Sequence, residues 1–379
     1  MSARTSNGLG IATRVFGSQW FVSVLAVLIA FAIGAILIAL SGASVVDAYY
    51  AMFRGSIVDP NAANVVRMIK PLTDSLFYSI PLIISGLGLA LGFRAGLFNI
   101  GGKGQIIVGA LAAVWVGFAV SLPPVLHTLV ALLVAVIAGG LYAGIAGVLK
   151  AKTGANEVIV TIMLNSIATL GLGYVLAQKA WQVPGSNQPV TPKVAESAAL
   201  TRLLPAPFKL HVGFIVALVA LAFFWWLIER STLGFQIRAV GANAAAARTA
   251  GISVERITAI TMVLSGAFLG LAGANEALGT IGYVSRDVAG SIGFDAITVA
   301  LLGRNKTWGT FGAGLLFGAF KAGGYTMQAK GVPIDMILIL QSVIVLLIAA
   351  PALVRWLFRL PDVRALAANT RKGNADEHK

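Results

Sequence analysis

An all-α, membrane-embedded fold is predicted by three observations. Hydrophobic residues fill 58% of the 379 positions, charged ones only 11%, and the mean hydropathy is +0.88. The apolar residues gather into repeated runs, and a helix needs ~20 residues to cross a bilayer core. Runs such as FVSVLAVLIAFAIGAILIAL, VGFIVALVALAFFWWLI and ILILQSVIVLLIAA carry no central charge and no period-two alternation. In lipid their backbone groups are therefore satisfied within helices, not across barrel strands.

Apolar length and breakers predict about ten helices, near 20–41, 73–93, 100–120, 125–149, 157–177, 211–229, 256–275, 290–303, 310–328 and 334–351. The first ends near LSGASVVDA, which loosely resembles a signal-peptide cleavage region. Its roughly twenty apolar residues exceed a usual h-region, so it reads as a retained helix. Gly140 and Gly144, Ala143 and Gly147, Gly266 and Gly270, and Gly314 and Gly318 recur at four-residue spacing, which lets helix backbones approach closely. The loops 42–72 and 178–210 are long, and the second is rich in proline. The chain divides into an N-terminal segment 1–19, a transmembrane domain 20–355 with a polar loop at 230–256, and a tail 356–379, both termini being expected in the cytoplasm.

The formal charge of +14 is explained by topology and anionic lipid, so a nucleic-acid partner is not expected. With the N-terminus inside, eighteen basic residues, among them Lys152, Arg248 and Arg304, fall on the inner side. Nine, including Lys193 and Arg286, fall outside, and Lys321 within a helix completes the 28. Absence of cysteine excludes disulfides and thiolate chemistry, and His127, His211 and His378 form no metal-binding pattern. No catalytic residue and no metal ligand is expected. In FNIGGKGQ, Lys103 is followed by Gly104 and the upstream glycine is out of register, so this is no Walker A loop.

Polar residues within the apolar segments are the remaining signal. Glu157, Thr161, Asn165 and Thr169 fall at four-residue intervals on one helical face, suited either to interhelical hydrogen bonding or to lining a pathway. Glu157 also suits a helix N-terminus. The stretch 273–297 places Asn275, Glu276, Tyr283, Asp287 and Asp295 among glycines, a broken segment of the kind that borders a cavity. Asp287 beside Arg286 reads as a solvated pair. Lys321 can face the lumen, pair with an acid such as Glu276, or snorkel. In VGANAAAARTAGISVERI, Asn243 is placed to cap a short alanine helix and Gly251 to end it. Such a helix either docks on a partner or merely joins two spans.

FNIGGKGQ at 98–105, GANEVIVTIMLN at 154–165 and VGANAAAARTAGISVERI at 240–257 resemble permease subunits of bacterial ABC importers, in the group that includes ribose and branched-chain amino acid permeases. The first two motifs are most similar to the nucleoside-type members. The resemblance implies an ABC importer permease fold in the bacterial cell membrane and a small polar solute, nucleosides first, with simple sugars and branched-chain amino acids as alternatives. An ion-coupled secondary transporter is the rival from another class. It also implies that this chain is no enzyme and binds no cofactor, ATP and Mg being used by separate ATPase subunits. The further partners implied are a second permease, identical or related, an extracytoplasmic substrate-binding lipoprotein and membrane lipid. Asn243, Ala246, Arg248 and Gly251 are expected to couple to the ATPase, and Asn99, Gln105, Thr161, Asn165, Asn275, Glu276 and Lys321 to border the substrate pathway. Where nucleoside-type members often read FNIGGEGQ, this chain has Lys103, so no carboxylate role is assigned there.

Overall fold

The computed structural model describes residues 19–186 and 188–333, together with 338, 339, 342, 343, 346 and 347. Among these residues the protein is helical: α1 (Gln19–Leu40), α2 (Val45–Ser56), α3 (Val65–Arg94), α4 (Gly102–Ala119), α5 (Pro124–Thr153), α6 (Glu157–Ala177), α7 (Gly213–Arg230), α8 (Thr232–Ala242), α9 (Ala244–Thr249), α10 (Val254–Asn275), α11 (Ile292–Leu302) and α12 (Thr307–Gln328). α10 runs on into a π-helical turn, Glu276–Ile281. One isolated antiparallel bridge joins Arg202 to His211.

Among the described residues six helices are long and apolar enough to cross a membrane: α3, α4, α5, α6, α7 and α10 with its π turn. Ten spans are thus not reproduced. α11, predicted at 290–303, has only 11 residues and is about 16 Å long, half a bilayer core. The predicted helix 334–351 falls mostly outside the described residues, as do the tail 356–379 and residues 1–18. The expected loop 42–72 instead contains α2 and the start of α3. α3 begins at Val65 because the Asn64 side chain accepts the Arg67 amide at 2.9 Å, and it continues through Pro71 and Pro81. The sequence reading began this helix at 73, whereas it starts at Val65 and carries Pro71 in its interior.

The described residues divide into two compact units, residues 52–323 and those on either side of them. In the second of these the Tyr49 hydroxyl donates to the Phe31 carbonyl at 2.5 Å, with the rings edge to face. In the first, α10 is central, packing most extensively on α5 and then on α4 and α3. Glycine makes this possible. A Cβ at Gly109 of α4 would lie 2.4 Å from the Gly270 Cα, one at Gly273 2.2 Å from the Ile106 carbonyl, and one at Gly139 of α5 2.5 Å from the Gly266 carbonyl. Backbone rests on backbone, as membrane helices pack when lipid supplies no hydrophobic drive.

The bundle has two differently built ends. At one, the α3 C-terminus meets α8, the start of α12 and the segment 95–101, and α9 lies there too; we call it the α9 end. At the other, segment 190–212 is laced onto the π turn and the loop after it. Thr191 N–H donates to Val284, Val194 N–H to Gly282 and Leu200 N–H to Leu278, all at 3.0–3.1 Å. The Val284 amide donates in turn to the Thr191 hydroxyl at 2.9 Å. His127, fully buried, ties the same segment down through Ser197 at 2.8 Å.

Candidate functional site

Three constellations carry the polar residues of the larger unit. The first surrounds the break between α3 and α4. Asn99 donates to the Gln105 side-chain oxygen at 3.0 Å and to the Ser265 hydroxyl of α10 at 2.9 Å. Its own oxygen accepts from the Gln105 amide and from Gly101 N–H, both at 3.0 Å. α6 grips the same break from the side. Glu157 accepts Phe98 N–H at 3.3 Å, Thr161 accepts Ile100 N–H at 3.3 Å, and Asn165 accepts Gly104 N–H at 2.7 Å while donating to the Ile100 carbonyl at 2.8 Å. Gly101 offers no side-chain cap to α4, so Asn165 satisfies from another helix one of the amides that a helix start leaves free. Lys150 closes the cluster with a 2.6 Å ion pair to Glu157. The predicted residues Asn99, Gln105, Thr161 and Asn165 are thereby brought together. Thr169, on the same helical face, is instead exposed, because α6 is the least covered of the six long helices in this single chain.

The second constellation is the loop 230–256. Ser231 caps α8 by accepting Gly234 N–H at 2.9 Å. Asn243 caps α9 by accepting Ala246 N–H at 3.0 Å, and Gly251, at φ 83°, ends it in the left-handed region that favours glycine. Only Ala247 of α9 is buried. Between α8 and α9 runs a groove of about 560 Å³, bordered by Phe235, Ala239, Asn243, Ala246, Ala250 and Ile252. The pair is braced from behind: a Cβ at Gly241 would lie 2.0 Å from the Arg94 carbonyl at the end of α3. Arg94 also donates to the Asn305 carbonyl at 2.7 Å. Arg248 is not a free cation, as it pairs with Glu255 at 2.5 Å. Both are solvent-exposed, so the pair is weak and readily exchanged.

The third lies at the opposite end, where Asn275 closes α10. Its side chain is fully buried and neither its nitrogen nor its oxygen has a hydrogen-bond partner. The His211 ring stands beside it. Gly213 N–H donates to His211 Nδ1 at 3.1 Å, which leaves the proton of the neutral ring on Nε2, and that atom is buried without a partner as well. Burial alone pushes the His211 imidazole down to about 4. Phe77 meets the ring edge to face at 5.5 Å. Next in the chain, Glu276 opens the π turn, and Lys321 of α12 lies within electrostatic reach of both Glu276 and Asp295. Sequence reading missed His211 and Ser265: a lone histidine in a proline-rich loop and a serine in a small-residue helix carry no spacing signal. Among the described residues no three His, Cys, Asp or Glu could hold a metal.

A bundle of long apolar helices, with a short capped helix on a loop at one end and no metal cluster among the described residues, defines a polytopic membrane protein. Residues 72–349 match the family described as "Branched-chain amino acid transport system / permease component". The guanosine ABC transporter permease NupP of Bacillus subtilis is 40% identical over 349 residues, 89% of this chain and 95% of that protein. The glucose ABC transporter permease TsgB13 of Haloferax volcanii is 35% identical over 85% of each chain. The nucleoside ABC transporter permease NupB of Lactococcus lactis is 30% identical over 92% of this chain and 95% of its own length. No solved structure matches. The chain belongs to the branched-chain amino acid transport system permease family. It is a permease subunit of an ABC importer.

Proposed function

We propose that this permease carries nucleosides inward, driven by ATP hydrolysed with Mg in separate ATPase subunits. Similarity to guanosine and nucleoside permeases along nearly the whole chain carries this reading. The α9 end is cytoplasmic, as are both termini, with Lys152, Arg248 and Arg304 inside and Lys193 and Arg286 outside; the positive-inside rule supports that orientation. About ten helices, formed by residues 20–355 and including the half-length α11, make up the domain between the cytoplasmic segments 1–19 and 356–379.

In this reading α8 and α9 dock on the ATPase, and the groove between them receives an apolar projection of it. Asn243 and Gly251 fix the ends of α9, Ala246 keeps it helical, and Arg248 exchanges Glu255 for an acid on the partner. When nucleotide draws the ATPase pair together, α9 moves, and the contact of Gly241 with the Arg94 carbonyl passes that movement to α3. Asn99, Gln105, Thr161 and Asn165 frame the pathway, since their polar groups are occupied with one another and with backbone. Asn275, Glu276 and Lys321 border it directly. The uncovered face of α6, where Ile162, Met163, Ile167 and Tyr174 are exposed and a Cβ at Gly171 would meet open space, meets the second permease, and lipid covers the remaining apolar surface. A substrate-binding lipoprotein delivers the solute from outside.

The test is uptake into proteoliposomes holding the permease, its ATPase and its binding protein. ATP-dependent accumulation of labelled guanosine, uncompeted by excess glucose or leucine, is the expected result. Accumulation of glucose in its place would overturn the nucleoside assignment, and nucleoside uptake driven by an ion gradient without ATP would overturn the ATP-driven mechanism.

A further inference from the structure

We propose that His211 and Asn275 form a polar station which reads the base edge of the passing nucleoside, a planar edge with a hydrogen-bond donor beside an acceptor. The inference rests on the nucleoside-import reading and adds to it a specificity-determining pair. Two observations carry it independently of each other.

The first is the chemistry left unused. Asn275 is 0% and His211 1% exposed, yet the Asn275 nitrogen and oxygen and the His211 Nε2 all lack partners. In apolar surroundings such atoms are normally paired. Together they offer one acceptor and two donors, all uncharged, the set that a lactam or amide edge of a base complements. Because Nδ1 is occupied by Gly213 N–H, the ring presents a defined donor.

The second is that the surroundings are built for these two side chains and for movement. A Cβ at Gly279 would lie 2.4 Å from the His211 ring, and one at Gly213 would lie 2.5 Å from that ring and 2.1 Å from the Asn275 nitrogen. Only glycine at both positions admits the pair. Immediately after Asn275 the helix widens into the π turn, which ends at Gly282 with φ 81°. π turns recur at functional sites, where they let a helix rearrange locally. Leu278 and Gly282 of this segment accept the bonds from Leu200 and Val194, so a shift of the turn carries the overlying 190–212 segment with it. The station is shut in this structure. Opening the turn uncovers it beside Phe77, whose ring already packs on that of His211.

The experiment is saturating uptake by the complete transporter, with guanosine and with purine riboside, which has the ribose but no oxo or amino group on its ring. Asn275→Leu is expected to lower the maximal guanosine rate at least tenfold and that of purine riboside less than twofold. The external KM, set by the binding protein, should stay unchanged. His211→Ala should act alike, and His211→Gln, which keeps a neutral donor, should recover most of the guanosine rate. Melting temperature and ATPase co-purification of each variant are measured in parallel. Equal loss for both solutes, loss that merely follows a lowered melting temperature, or unaltered guanosine uptake would each overturn the station. Guanosine uptake by the wild type in the same vesicles tests the import reading on its own, so failure of the station and failure of import give different results.

Discussion

Two polar clusters sit in the same apolar bundle and are finished differently. Around the α3–α4 break, every amide atom of Asn99 and Asn165 has a partner, and so do the backbone groups they face. At the C-terminal end of α10, Asn275 has none and His211 one of two. An orphaned buried polar group costs ~1–3 kcal/mol, whereas an apolar replacement of similar shape can be neutral. Burial alone does not make a polar residue structural. The first cluster is a frame, fully engaged in holding the chain, and the second keeps its bonding capacity in reserve.

The sharpest way to break this contrast is to apply one kind of change to both clusters. Asn99→Leu strands Gly101 N–H, the Gln105 amide and the Ser265 hydroxyl together, a loss of ~3 kcal/mol or more. Its folded yield by size-exclusion chromatography in detergent should collapse. Asn275→Leu strands nothing that was paired, and its yield and melting temperature should equal or exceed the wild type. If the two variants are equally unstable, the distinction between frame and reserve is lost.

Next in size is an effect on coupling rather than folding. Ala246→Pro removes the N–H that donates to the Asn243 cap at 3.0 Å and disfavours helical backbone at Ala245, a loss of about 1 kcal/mol or more to the six-residue α9. The bundle, which buries only Ala247 of that helix, should keep its melting temperature while ATPase co-purification or uptake falls at least tenfold. Normal values for both would reduce the loop to a connector. Gly241→Val, set against the Arg94 carbonyl, should leave the ATPase bound and uncouple hydrolysis from uptake.

A smaller effect separates the clusters by pH. The folded His211 imidazole is held down to about 4, below its usual 6.5, because the ring is desolvated. Between those values the unfolded chain binds a proton that the folded one refuses, so stability falls with acidification by up to ~1.4 kcal/mol per pH unit. The melting temperature of the wild type should drop between pH 6.5 and pH 4.5 more steeply than that of His211→Gln. Parallel curves would mean that the ring is reached by solvent.

What was legible in the sequence follows the same division. The spans α4 to α7 and α10 were readable because apolar length is a local property, and the ends of α9 because Asn243 and Gly251 are local signals. The four-residue stripe on α6 was visible, but its purpose was not: Thr161 and Asn165 act on amides some sixty residues away, at Ile100 and Gly104. α2 and α8 were missed because a short helix of mixed polarity is formed by its neighbours. His211 was invisible because its importance lies in two glycines, at 213 and 279, that sequence spacing does not connect.

The smallest predicted effect tests how finely the frame is divided among its members. Thr161 accepts Ile100 N–H at 3.3 Å, a long bond, and donates to its own helix at the Glu157 carbonyl at 2.7 Å. Thr161→Val keeps the shape and forfeits one weak contact, and Ile100 remains held through its carbonyl by Asn165. The expected loss is ~1 kcal/mol, a few degrees in melting temperature, with uptake per folded molecule unchanged. Asn165→Leu removes both the bond to that carbonyl and the one from Gly104 N–H, so it should lose two to three times as much. If instead Thr161→Val abolished uptake while the protein stayed folded, Thr161 would touch the solute itself, and the frame would have to be redrawn as part of the pathway wall.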